Sequence, residues 1–143
     1  MESTAVTRAA RIQYVNRMKF NLDHPDGRLL VRGYGPDGIR VGDQTWSRSV
    51  VLTPDGAVDE WRPATFDDLT ADDLAALAAL DPEVLLLGSG ARQRFPERSV
   101  LAPLYAARIG FEIMDSGAAC RTYNLLAAEG RRVAAAVIVE RTG

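Results

Sequence analysis

Cysteine, histidine and lysine are almost missing from this sequence, with Cys120, His24 and Lys19 each the only residue of its kind. One thiol cannot close an intrachain disulfide or supply a multi-cysteine zinc site. The single histidine lies in the turn Asp23–Gly27 (DHPDG), where Pro and Asp-Gly reverse the chain. A metal centre would therefore need carboxylates, and a Ser-His or Cys-His nucleophile would have to recruit its base from a distant turn. No metal and no cofactor is expected. No apolar run approaches the roughly 18 residues that cross a bilayer, and the N-terminal segment lacks the apolar core of a secretory signal. The expectation is a cytoplasmic protein that is not an integral membrane protein. Neither sign of charge dominates, since 17 basic residues stand against 19 acidic ones, so no global field draws the chain to nucleic acid. Arginine in place of lysine, with abundant alanine, is the coding bias expected of a GC-rich bacterial genome.

What is present is an ordinary globular balance: 143 residues, 47% hydrophobic and 25% charged. A chain of this length hides roughly two thirds of its unfolded surface, enough for stability without a disulfide or a structural metal. Met1–Arg17 mixes Arg, Thr and Ala with no sustained period and reads as an extension; residues 18–143 read as one domain. Between Arg28 and Trp61, β-branched runs alternate with Gly-rich turns, predicting an antiparallel meander whose third strand is the whole run TWSRSVVLT. Leu69–Leu80 predicts a helix capped by Thr70, with Asp73 three residues on and Leu69 stapled to Leu74. The second half predicts strand, helix, strand, helix, strand. Val84–Leu87 and Val133–Val139 are continuous apolar runs that suit strands buried on both faces, with Phe111–Met114 as a shorter strand. The helices are expected over about Ser99–Arg108, with Pro103 in its first turn, and about Ala118–Glu129. Gly110 and Gly130 would supply their left-handed ends.

Two loops carry the residue types of a binding site. Gly88-Ser89-Gly90 follows a buried strand and precedes a helix, the position where open α/β sheets hold ligands. Arg92, Arg94 and Arg98 follow at once, and guanidinium groups grip carboxylates and phosphates with paired hydrogen bonds. A dinucleotide fingerprint would require Gly at the position of Gln93, and no P-loop is present. In the second loop Asp115 or Ser116 can cap the next helix. On that helix Ala119, Cys120, Tyr123, Leu126 and Ala127 share one face, with Arg121, Asn124 and Leu125 on the other half. Cys120 therefore reads as core packing, while Leu125 is a candidate partner contact. The two loops form either an anion pocket or a clasp in which Asp115 accepts helix amides and pairs with Arg121 or Arg92.

The blocks GSGARQRFP (Gly88–Pro96) and IGFEIMDSGAACRTYNLLAAEGRRVAAAVI (Ile109–Ile138) resemble the Mth-938-like family, a group of archaeal and bacterial proteins of unknown function that is similar to mitochondrial complex I assembly factor three. The likeness covers roughly Met18–Val139. It implies a three-layer α/β fold, with a central mixed sheet, helices and an N-terminal antiparallel β-layer. Carried over by motif, the family's hallmark positions fall on Gly88, Gly90, Phe95, Pro96, Gly110, Asp115, Ala119, Arg121, Thr122, Tyr123, Asn124, Glu129 and Gly130. No catalytic role attaches to them. The resemblance implies a non-enzymatic partner-binding protein, its partner a protein of the membrane-complex class. Two further readings follow from the residues: a protein binding small anionic ligands through the loops of Gly88, Ser89, Gly90, Arg92, Phe95 and Pro96 and of Asp115, Ser116, Arg121 and Asn124, or an enzyme using Cys120 or Asp115.

Overall fold

A computed structural model describes residues 30–53, 55 and 58–140, so the extension Met1–Arg17 and the turn holding His24 lie outside the described residues. In chain order the elements are β1 (Val31–Gly35), β2 (Gly38–Val41), β3 (Gln44–Trp46), β4 (Val50–Leu52), β5 (Val58–Glu60), a 3-10 turn (Phe66–Asp68), α1 (Ala71–Ala78), β6 (Val84–Gly88), α2 (Arg98–Ala106), β7 (Gly110–Met114), α3 (Ser116–Ala128) and β8 (Val133–Val137). Strands β1-β2-β3 form a small antiparallel sheet, and the larger sheet runs β5-β4-β8-β6-β7. In the larger sheet β6 is parallel to both β7 and β8, while β4 is antiparallel to β8 and β5. The mixed direction and the β-layer implied by the family resemblance are both present.

Strand periodicity divides the core in two. Val133, Ala135 and Val137 of β8, Leu86 of β6, and Val50 and Leu52 of β4 face a cluster built with Ala119, Cys120 and Tyr123 of α3 and Val31, Ile39 and Val41 of the small sheet. The alternate residues Ala134, Ala136, Leu85, Leu87 and Val51 face Leu74 and Leu77 of α1 and Leu101 and Leu104 of α2. Every residue of β4 and β8 is buried, as expected for strands covered on both faces. The layers are therefore α1 and α2, then the five-stranded sheet, then α3 beside the small sheet.

Local chemistry explains most boundaries. Thr70 and Asp73 form the expected reciprocal capping box at the start of α1. Gly130 takes the left-handed conformation after α3, with φ +82°.

Four expectations are corrected. The run TWSRSVVLT is two strands, because the polar Ser47-Arg48-Ser49 interrupts it and Ser49 is tied into the larger sheet: its carbonyl accepts from the Trp61 amide at 2.8 Å and its Oγ from the Val139 amide at 3.1 Å. The meander is thus shared between two sheets. Gly110 opens β7, and the left-handed residue after α2 is Arg108, with φ 57°. Pro103 lies inside α2, not in its first turn. A nine-residue helix tolerates it because only the hydrogen bond to Ser99 is lost. Finally, α3 starts at Ser116, two residues before the expected Ala118, since Asp115 caps it.

Candidate functional site

The loop after β6 and the loop after β7 are neighbours because β6 and β7 pair in parallel with Gly88 opposite Met114. Hydrogen bonds then stitch one to the other. The Ser89 amide donates to the Met114 carbonyl at 2.8 Å, and the Ser116 amide to the Gly90 carbonyl at 2.8 Å. Ser116 is fully buried. Its Oγ accepts from the Gly90 amide at 2.9 Å and donates to the Ile138 carbonyl at 2.6 Å, so one hydroxyl joins the ends of β6, β7 and β8. The Ile138 amide returns a bond to the Gly88 carbonyl at 3.0 Å.

The glycines are explained by close approach. A Cβ on Gly88 would lie 3.0 Å from both Cα and Oγ of Ser116. Gly90 has φ +108°, a backbone conformation that side-chain-bearing residues rarely adopt, and its Cα faces the Glu140 carboxylate.

Ser89 organises the rest of its loop. Its buried Oγ donates to the Arg92 carbonyl at 2.8 Å and accepts from the Arg94 amide at 3.0 Å. Gln93 Nε2 donates to the Ile113 carbonyl at 2.9 Å. Arg94 bonds Asp67 at 2.8 Å and stacks over Phe66, 4.3 Å from its ring centre. Phe95, between these anchors and Pro96, is 67% exposed.

In the second loop Asp115 Oδ1 accepts from the Ala118 amide at 2.8 Å, satisfying one orphan donor of α3. The expected pairing with Arg121 or Arg92 is not formed; among the described residues neither arginine makes an ion pair with Asp115. Both guanidinium groups belong to exposed residues. Tyr34, from the small sheet, covers this helix start, its Cδ2 3.4 Å from where a Gly117 Cβ would stand. Burial raises the Tyr34 phenol above its usual pKa, opposed by a hydrogen bond with Ser116. Burial likewise pushes the Cys120 thiol up to about 12. A thiol of that pKa stays protonated at neutral pH, so the geometry supplies no thiolate nucleophile.

Asn124 sits apart from both loops. Its amide grips β1, accepting from the Val31 amide at 2.8 Å and donating to the Val31 carbonyl at 2.7 Å. Leu125 next to it is 61% exposed. Tyr34 and Glu140 carry no signal in the sequence, because their place beside Ser116 and Gly90 depends on non-local packing. An open cleft of about 730 Å³ lies elsewhere, between Ser47–Ser49 and Glu60–Thr65.

Residues 31–138 match the family described as protein of unknown function (DUF498/DUF598). The chain belongs to this family. A protein of Bordetella parapertussis of known crystal structure is 41% identical to this chain, with a TM-score of 0.73 over 78% of this chain and 95% of that one. The NMR structure of a Bordetella pertussis protein, described as a Mth938-like domain, is 33% identical, with a TM-score of 0.70 over 80% and 88% of the two chains. The family is thus the Mth938-like one indicated by the two sequence blocks. The Danio rerio NADH dehydrogenase [ubiquinone] 1 alpha subcomplex assembly factor 3 is 33% identical over 117 residues. The alignment takes in 80% of this chain and spans 66% of that protein, just under two thirds of its length. Among the described residues no helix is long and apolar enough to cross a membrane.

Proposed function

We propose that this DUF498-family chain is a non-enzymatic partner-binding protein that helps assemble a membrane-bound respiratory complex, working from the cytoplasmic side. The observation carrying the proposal is its likeness to the Danio rerio protein named as an assembly factor for NADH dehydrogenase. Two structural features support it. The loops at the strand ends, where α/β enzymes place their chemistry, are joined by the Ser116 and Ser89 hydrogen bonds. The Cys120 thiol, one of the two groups an enzyme reading would use, is held protonated. In this proposal Asp115, Ser116, Gly88 and Gly90 form a structural clasp, and partner contact belongs to exposed apolar side chains.

Affinity purification of the full chain from gently solubilised membranes of its source, read by quantitative mass spectrometry, tests this. NADH dehydrogenase subunits should be enriched over an unrelated bait of similar charge. Enrichment of no membrane-complex subunit would refute the reading. The anionic-ligand reading rests on the exposed Arg92 beside the Gly88 loop. It predicts a saturable rise in melting temperature with phosphate that Arg92→Ala removes and Arg108→Ala does not. The clasp predicts no such rise.

A further inference from the structure

We propose that Phe95, held out by the loop between β6 and α2, is a preformed docking wedge for a protein partner whose surface offers an apolar pocket edged by carboxylates. The inference rests on the assembly reading above and names the surface that makes its contact.

Three large hydrophobic side chains are exposed among the described residues: Phe95, Tyr105 and Leu125. Tyr105 has a neighbour, since its ring meets Phe111 edge to face at 5.5 Å. Leu125 is a single leucine on a helix, and isolated surface leucines are common. Phe95 differs because its loop fixes it outward from both sides. On the N-terminal side, Ser89 Oγ holds the Arg92 carbonyl and the Arg94 amide, and the Gln93 side chain is bonded to the edge of β7. The Arg94 side chain is held by Asp67 and Phe66. On the C-terminal side, Pro96 restricts the backbone, and the Glu97 carbonyl accepts the first helical amides of α2, from Val100 at 3.0 Å and Leu101 at 3.2 Å. A loop so tied cannot fold Phe95 back onto the core, and it gives up little conformational freedom when a partner covers the ring. Rigid aromatic anchors of this kind carry much of the binding energy at protein interfaces.

Charge selects the partner. Arg92 and Arg98 bracket Phe95 in sequence, both exposed, and among the described residues neither has an ion pair. Arg94, the third arginine, is neutralised by Asp67. Two guanidinium groups that flank an apolar ring in sequence, and are unpaired among the described residues, complement a pocket rimmed by Asp or Glu. An anionic membrane is a poorer match. Stable membrane anchoring takes two strong signals, such as an acyl chain with a polybasic patch, whereas this loop offers one aromatic ring and two arginines, with Glu97 and Asp67 close by in sequence or space.

The test compares full-length wild type with Phe95→Ala, Arg92→Glu/Arg98→Glu and Leu125→Ala as baits on the same solubilised membranes. Phe95→Ala and the charge reversal should each lower recovery of NADH dehydrogenase subunits at least tenfold, while Leu125→Ala leaves it within twofold. All three variants alter only exposed side chains, and the baits are admitted only with melting temperatures within a few degrees of wild type. Subunits recovered equally by wild type and Phe95→Ala would overturn the wedge and leave the assembly reading standing. No subunits with any bait would overturn both. Co-sedimentation with phosphatidylglycerol–phosphatidylethanolamine vesicles that Phe95→Ala abolishes would replace the protein partner by a membrane. A dimer in sedimentation velocity that the same substitution dissolves would replace it by a second copy of this chain.

Discussion

At the scale of single residues, three groups near the strand ends, Cys120 and Ser116 buried and Asp115 half-buried, have separable roles. Cys120 packs inside α3, only 3% exposed, and its thiol is pushed up to about 12. Cys120→Ala should cost about 1 to 2 kcal/mol, from lost apolar burial and a small cavity, and native protein should react with a thiol reagent only as fast as it opens. Labelling within seconds under native conditions would contradict this. Ser116 presents a different loss. Replacing it by Ala strands the Gly90 amide and removes a donor from the Ile138 carbonyl, which should cost about 1 to 3 kcal/mol. For Asp115 the missing ion pair leaves capping as its observed interaction, so Asp115→Ala should cost about 1 kcal/mol and Asp115→Ser should recover most of it. Urea denaturation of the three variants checks the ranking, with Ser116→Ala expected to fall furthest.

The element whose start is best secured is α1. Leu69-Thr70-Ala71-Asp72-Asp73 already specifies a cap, and the fold adds Arg62, whose Nε and Nη2 meet the two Asp73 carboxylate oxygens at 2.9 and 2.7 Å. The Arg62 hydrogen bonds, helped by those from Thr70, hold the Asp73 carboxyl below its ordinary pKa against the opposing effect of burial. A depressed folded-state pKa gives stability that is complete above the unfolded value, near 3.9, and is lost as pH falls through the folded value. Asp73→Asn should therefore destabilise the protein near pH 7 by about 1 to 3 kcal/mol, with the gap to wild type closing below about pH 4. Denaturation midpoints of both proteins at pH 7 and pH 3 measure it, and a gap independent of pH would count against the carboxylate. The Arg62 side chain is largely exposed, so moderate salt should narrow the gap at pH 7 as well.

On the scale of the whole molecule, the small sheet is held to the core by its apolar residues and by the Asn124 clamp on Val31. Asn124→Ala removes two hydrogen bonds from one end of β1 and leaves the larger sheet intact. Amide exchange in β1–β3 should quicken, while exchange in β6 and β8 stays near the wild-type rate. Uniform acceleration in both sheets would mean that the layers open as one unit. The same clamp shows that the polar half of a helical wheel need not face solvent: α3 is covered both by the five-stranded sheet and by β1, so Asn124, off the apolar stripe, still faces protein.

The sequence by itself determined those features that depend on neighbours a few residues away. The Thr70 capping box, the doubly buried strands β6 and β8, the left-handed Gly130 and the inward placement of Cys120 follow from short-range patterns of burial and backbone geometry. The order of the two motif blocks indicated the family. Only the tertiary structure decided where TWSRSVVLT breaks, since Ser49 leaves the small sheet for bonds to Trp61 and Val139, the latter 90 residues away. It also decided which partners Asp115 and Ser116 would have. Both residues were legible as caps, yet the Ser116 hydroxyl could be assigned to Gly90 and Ile138 only after three strand ends converged. Asp115, with no arginine of the described residues brought into pairing range, keeps the helix amide as its partner. Local propensity selects conformations, whereas a buried hydrogen bond between distant segments exists only where packing has excluded water and fixed both groups within reach.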